Sequence, residues 1–159
     1  MGEMMDELGF VTTEYATTQY IVITIGEEQY GIDIKYVDNI VRMQKITRVP
    51  NVQEYFDGVI NLRGEVVPVM SFRRKVNLPE VEKSNKTRII IIKLEQNAPI
   101  GIIVDAVKEV VTLSENSIDP VAKGSKASEQ SYINGIGKCG DTLISLLDLN
   151  VVISEKESV

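Results

Sequence analysis

The order of apolar and polar positions predicts short strands along most of the chain. Residues 19–25 form a β-branched run and read as a strand, residues 26–29 as a hairpin turn, and residues 30–36, which alternate, as the return strand. Residues 38–42 continue as a third extended piece. Pro50 and Asn51 open a short helical turn that reaches Phe56 and is closed by Asp57 and Gly58. A second hairpin follows, made of residues 59–62, a turn at Arg63-Gly64-Glu65, and residues 66–72. Pro68 in its return strand argues for a sheet edge or a bulge, because proline has no N–H to give to a ladder. Residues 73–87 are charged, contain Pro79, and read as a linker with room for one short helix. Residues 1–17 are polar, Met-rich and without period, and read as a loose tail.

After the linker the pattern starts again, with a strand over 89–94, a turn over 95–98 and a return strand over 100–104. A shift of 70 residues superposes Gly31 on Gly101, Ile34 on Val104, Val37 on Val107, Ile40 on Val110 and Val41 on Val111. Each half also holds a glycine-led hairpin, one running from Gly58 past Gly64, the other from Gly135 past Gly140. The expected fold is mainly β: two small five-stranded β-barrels packed together, with short helical turns. Neither half, at roughly 65–75 residues, has a generous core alone. Packing them together buries what each leaves open, and closing each sheet removes its edges. The expected boundaries are a tail over 1–17, two intertwined barrels over about 18–85 and 86–150, and a tail over 151–159. The junction of the barrels is a groove lined from both halves, a natural docking place.

Composition strengthens the β reading. The chain has 20 Val and 20 Ile against 9 Leu and 5 Ala, and β-branched side chains suit a pleated surface but lose χ1 freedom in a helix. Charge narrows the partners: 17 Lys and Arg against 23 Asp and Glu leave a net charge of −6. That balance suits neither general phosphate binding nor an anionic membrane surface. With no histidine, His-dependent triads, proton shuttles and metal sites are excluded. Cys139 is the single cysteine, so no internal disulfide can form and no Cys-plus-His zinc site can be built. No apolar run approaches a membrane span, and residues 1–7 are acidic where a signal peptide is basic. The chain reads as cytoplasmic, with no direct membrane contact.

Three classes of function compete. An enzyme using Asp and Glu would need two facing acids, and no spacing singles out such a pair. Gly135-Ile-Gly137-Lys-Cys-Gly140 matches the dinucleotide fingerprint, which requires a helix after it and an acid about 20 residues on. A β-like run follows here instead, so the motif reads as a glycine-rich turn, and neither cofactor nor metal is expected. An OB-type nucleic-acid barrel needs a basic groove with stacking aromatics. The best basic cluster is only Arg73-Arg74-Lys75, so nucleic acid is not an expected partner. An adaptor, working through its surfaces, is the third class.

The segment Gly58-Val-Ile-Asn61-Leu62-Arg63-Gly64-x-x-x-Pro68 resembles the CheW family of chemotaxis coupling proteins. Tyr30-Gly31-Ile-Asp33-Ile and Gly101-Ile-Ile-Val-Asp105-x-Val107 are similar to two further stretches of that family, and the likeness runs from about Tyr20 to Leu149. The resemblance implies a non-enzymatic adaptor that joins the cytoplasmic tips of chemoreceptors to the regulatory domain of the histidine kinase CheA, in membrane-associated receptor arrays. It also implies that the barrels are SH3-like. Carried over by residue, it places the receptor tip near Val37, Asn39, Arg63 and Val107, and the kinase near Gly58, Gly101, Val110 and Gly135. Most have a plainer rival reading: core packing for the valines, a positive φ or a close backbone approach for the glycines, and plain solvation for the turn arginine. Two departures stand out. Asn39 occupies a position where the family commonly has a glutamate able to pair with the motif arginine, and an amide supplies no charge there. Ser71-Phe72 replaces a more usual acid–aliphatic pair.

Overall fold

The structure is a computed structural model, and it describes residues 2–5, 11–14, 16–95, 97–121 and 132–153. Strands β1 (Gly2–Met5) and β2 (Val11–Glu14) pair antiparallel, where the sequence pattern predicts no strand. Then come β3 (Thr17–Ile25), β4 (Glu28–Asp33) and β5 (Val37–Arg42), followed by the hairpin β6 (Phe56–Leu62) and β7 (Glu65–Ser71). A helical turn α1 (Phe72–Lys75) closes the first half. The second half holds β8 (Arg88–Ile92), β9 (Ile100–Val104), β10 (Ala106–Ser114), the two-residue β11 (Ile118–Asp119), β12 (Ile133–Cys139), β13 (Thr142–Leu147) and α2 (Leu149–Ile153).

The strands assemble into a six-stranded sheet, ordered β10-β3-β4-β13-β12-β11, and a five-stranded sheet, ordered β5-β8-β9-β7-β6. The two halves therefore exchange their first hairpins. β3 and β4 join the second half's strands, and β8 and β9 join the first half's, so a cut near residue 85 separates neither sheet. The exchange is twofold in detail. β4 meets β13 in parallel with Gly31 opposite Leu146, and β9 meets β7 in parallel with Gly101 opposite Val69. Bulges fall at matching places, between Val37 and Asn39 and between Val107 and Glu109, then between Phe56 and Gly58 and between Ile133 and Gly135. Both final hairpins run into a capped helical turn. Ser71 Oγ accepts from the Arg74 N–H at 3.3 Å, and Asp148 Oδ1 accepts from the Asn150 N–H at 3.1 Å.

Side-chain alternation sorts the core into three parts. Ile89 and Ile91 point into the five-stranded barrel with Ile60, Val67, Val69 and Ile103. Val22 points into the six-stranded barrel with Val111, Leu113, Ile144 and Leu146. The opposite faces, Ile21, Ile23 and Ile25 on β3 and Ile90 and Ile92 on β8, meet between the barrels together with Met70, Phe72, Leu149 and Val152. This shared layer is the largest of the three, as the small size of each half demands. The buried Val152 belongs to it, so α2 carries the core into the segment read as a tail.

Several local expectations are corrected. The strand predicted over 30–36 stops at Asp33, whose carboxylate accepts from the Lys35 N–H at 3.0 Å and starts a 3-10 turn over Ile34–Tyr36. The helical turn predicted from Pro50 is a series of non-helical turns, with Asn51 at φ 63° and the Phe56 N–H bonded to the Gln53 carbonyl. Pro68 lies on an interior strand rather than an edge. It stands opposite Val59, one residue before β7 begins to pair with β9 at Val69. Of the glycine-rich motif at 135–140, Gly135 and Gly137 sit inside β12 and only Gly140, at φ 60°, forms the turn.

Candidate functional site

The turn between β6 and β7 shows how the chain presents a charged group. Arg63 at φ 55° and Gly64 at φ 82° make a two-residue hairpin turn whose twist suits the strands on either side. Asn61 Oδ1 accepts from the Gly64 N–H at 3.0 Å and locks it. Arg63 is thereby held at an exposed tip, and no described residue forms an ion pair with it. Asn39 is half-buried on β5 opposite Ile91, and its side-chain oxygen accepts from the Ile40 N–H at 2.8 Å. The structure thus does not join Asn39 to Arg63. Val37 and Val107 occupy equivalent bulge edges, and both pack half-buried against the inter-barrel core. Each of the two thus combines core packing with a margin open to the surface.

The three glycines are buried and have structural duties. A Cβ at Gly58, where φ is 143°, would lie 2.1 Å from the Thr47 carbonyl oxygen. That contact closes the five-stranded barrel: Thr47 and Val59 exchange N–H···O bonds of 2.8 Å each, tying the chain beyond β5 to β6. At Gly101 a Cβ would meet Ile89 Cγ2 at 2.7 Å, and at Gly135 it would meet Ile118 Cγ2 at 3.2 Å. Val110, by contrast, is 49% exposed on β10. Its repeat partner Ile40 is exposed as well, and the hairpin positions Val66 and Leu143 are exposed by 65% and 63%. Each barrel therefore presents one aliphatic beside the inter-barrel layer and one near a hairpin tip. Sequence reasoning did not single out Val66 or Leu143. The signal available was a large aliphatic next to a turn on the solvent side of an alternating strand.

An ionic network ties the 73–87 linker to both barrels. Arg73 grips Asp105 through two bonds, Nε to Oδ1 at 3.0 Å and Nη2 to Oδ2 at 2.5 Å, and donates to the Pro79 carbonyl at 2.9 Å. Asp105 Oδ2 also accepts from the Gly26 N–H, at the tip of the β3–β4 hairpin, at 2.8 Å. Arg74 pairs with Asp57 and with Glu80, and Glu80 also accepts from Ser71 Oγ at 2.5 Å. The serine of the departing Ser71-Phe72 pair is thus a cap and a ligand of this network, and its phenylalanine is core. The cleft beside it, lined in part by Ser71, Arg73, Lys83 and Asp105, holds about 120 Å³, well below the several hundred Å³ of a small-molecule pocket. Among the described residues no group of three His, Cys, Asp or Glu could hold a metal ion.

The Arg73 hydrogen bonds lead the forces on Asp105. Burial opposes them, and the Gly26 N–H and Lys83 assist, so its carboxyl is held below the usual carboxylate range. A group whose pKa is lower folded than unfolded stabilises the fold above the unfolded value and loses that effect as pH falls through the folded one. Asp105→Asn is therefore expected to be less stable than the parent at neutral pH by about 1–2 kcal/mol. The difference should shrink below about pH 4, and urea midpoints at both pH values test it.

Buried glycine joints close the double barrel, and a rigid charged turn and equivalent exposed aliphatics stand at its surface. A model of the CheW-like domain matches residues 19–157, and the chain belongs to that family. Chemotaxis protein CheW of Bacillus subtilis is 38% identical over 149 residues, covering 93% of this chain and 95% of that protein. Chemotaxis protein CheW of Helicobacter pylori is 34% identical, over 86% of this chain and 82% of its own. The crystal structure of the scaffolding protein TtCheW from Thermoanaerobacter tengcongensis superposes with a TM-score of 0.78 at 33% identity, covering 89% of this chain and 90% of that one. The chain is a chemotaxis adaptor and not an enzyme. Among the described residues no helix is long and apolar enough to cross a membrane.

Proposed function

We propose that this adaptor couples the cytoplasmic tips of chemoreceptors to the regulatory domain of the histidine kinase CheA, in the cytoplasm at membrane-bound receptor arrays. The observation that carries the reading is the near full-length match to chemotaxis CheW proteins on a double barrel with two outward sides. The receptor tip docks where the inter-barrel layer reaches the surface, using Val37, Val107, Asn39 and Arg63. The kinase docks on the barrel ends shaped by Gly58, Gly101 and Gly135, with Val110 as an exposed contact. Patches of roughly 800 Å² or less per partner suffice, because several modest contacts in one assembly reinforce each other. Receptor state shifts the kinase equilibrium only through contacts that differ between its states.

Arg63→Glu tests the assignment. Its side chain is exposed, so the circular dichroism spectrum is expected to be unchanged. Co-purification with a receptor cytoplasmic fragment is expected to fall at least tenfold, since the reversed charge opposes the partner's docking group. Unchanged retention of both the receptor fragment and the kinase regulatory domain removes Arg63 from the site.

A further inference from the structure

Two stretches of this acidic chain contain no acid at all. Residues 39–53 hold three Lys or Arg and residues 83–94 hold four, so 7 of the 17 cations and none of the 23 acids lie there. The fold sets the stretches side by side, because β5 and β8 are neighbours and Arg42 stands directly opposite Arg88 in their ladder. Like charges facing each other across a ladder destabilise it. Asp105 is taken by Arg73, and Glu80 by Arg74 and Lys83, and among the described residues no acid forms an ion pair with Arg42 or Arg88. Arg88 turns back to the carbonyls of Asn85 and Thr87, at 2.8 and 2.9 Å. Among the described residues, Arg42, Lys45, Arg48, Lys86 and Arg88 take part in no ion pair. The first stretch also exposes three aliphatics, Ile40 at 36%, Val49 at 39% and Val52 at 44%.

We propose that this face of the five-stranded barrel docks an acidic, aliphatic segment of a partner protein. Such a segment neutralises the Arg42–Arg88 repulsion and covers Ile40, which lies on the same side of β5 as Arg42. Neither stretch contains an aromatic residue on which a nucleobase could stack. The net charge of −6 repels an anion that extends past the patch, whether a nucleic-acid strand or a lipid surface. A short protein segment escapes both objections.

The test uses the full chain and fluorescence anisotropy with a labelled peptide of about 16 residues made of Glu and Leu. Its Lys and Leu counterpart, an oligo-dT strand and phosphatidylserine vesicles are measured in parallel. Saturable binding of the acidic peptide is expected, weakening at least tenfold between about 50 and about 300 mM salt as screening grows. Arg42→Glu is expected to lower the affinity at least fivefold and to raise Tm by about 1–3 °C, because it turns a repelling cross-strand pair into an attracting one. A loss of binding with a gain in stability cannot come from unfolding. Lys108→Glu, on the other barrel, is expected to bind as the parent does. No binding of the acidic peptide at low salt overturns the proposal, as do tighter binding of oligo-dT or vesicles and an Arg42→Glu variant that binds like the parent.

Discussion

Gly58→Ala is expected to cost at least about 4 kcal/mol, placing it among the rare point substitutions of that size. The added carbon would sit 2.1 Å from the Thr47 oxygen, 2.7 Å from the Thr47 carbonyl carbon and 2.9 Å from Ile46 Cγ2. Two of those atoms are backbone, and that backbone makes both bonds closing the five-stranded barrel. Relief therefore means opening the closure, not turning a side chain. The φ of 143° adds strain in a region that L-residues avoid. Gly64→Ala is the control. Its φ is also positive, at 82°, but nothing lies within 4 Å of the added carbon, so only backbone strain remains, about 1 kcal/mol. Urea denaturation of both variants separates the two causes, and similar small losses would show that Gly58 is not a closure joint.

Phe72→Ala is expected to cost about 3–5 kcal/mol, the range for emptying a buried aromatic site. Phe72 is fully buried, the first residue of α1, and part of the layer between the barrels. Its ring meets Tyr30 edge-on at 5.2 Å and 65°, and Tyr132 at 6.1 Å and 89°. Tyr30 belongs to β4 and Tyr132 precedes β12, both in the six-stranded barrel, whereas Phe72 leaves β7 of the other. One ring thus plugs each barrel to its neighbour. The two tyrosines are hydrogen-bonded, and burial leads the causes that raise the pKa of each hydroxyl. Phe72→Leu keeps most of the volume and should cost about 1–2 kcal/mol. Equal losses for Ala and Leu would instead point to the aromatic edges as the dominant contribution.

The strands were readable because β-branched runs broken by glycine allow few alternatives. Residues 89–92, four consecutive isoleucines, read as a strand from their β-branched run, and the strand is buried at every one of them. The duplication was readable at Val37 and Val107, where even the bulges coincide. The exchange of hairpins was not, because hydrophobic period says which face of a strand is covered and nothing about which strand lies beside it. The 3-10 turn after Asp33 escaped notice because one carboxylate bond to the Lys35 N–H outweighs an alternating pattern. Pro68 misled for the same local reason: a missing N–H excludes a bond, and that bond was not required where β7 precedes its contact with β9. Within the candidate site, Arg63 was visible as a motif residue at a turn. The state of Asn39 was not, because its amide serves the adjacent N–H rather than a distant partner.

The hairpin exchange also sets the order in which a nascent chain can take shape on the ribosome. All five strands of the second sheet lie in one uninterrupted span, from Val37 to Val104. That barrel can close while synthesis is still under way. The β3–β4 hairpin must wait, since Tyr30 pairs with Ser145, emerging 115 residues later. At roughly 5–20 residues per second that is a delay on the order of ten seconds, and until β10 emerges from Ala106 onward to pair with β3, the strand carrying Ile21, Ile23 and Ile25 has only β4 beside it from its own sheet. The later-finished domain is therefore the one whose half-made edge most needs chaperone shelter.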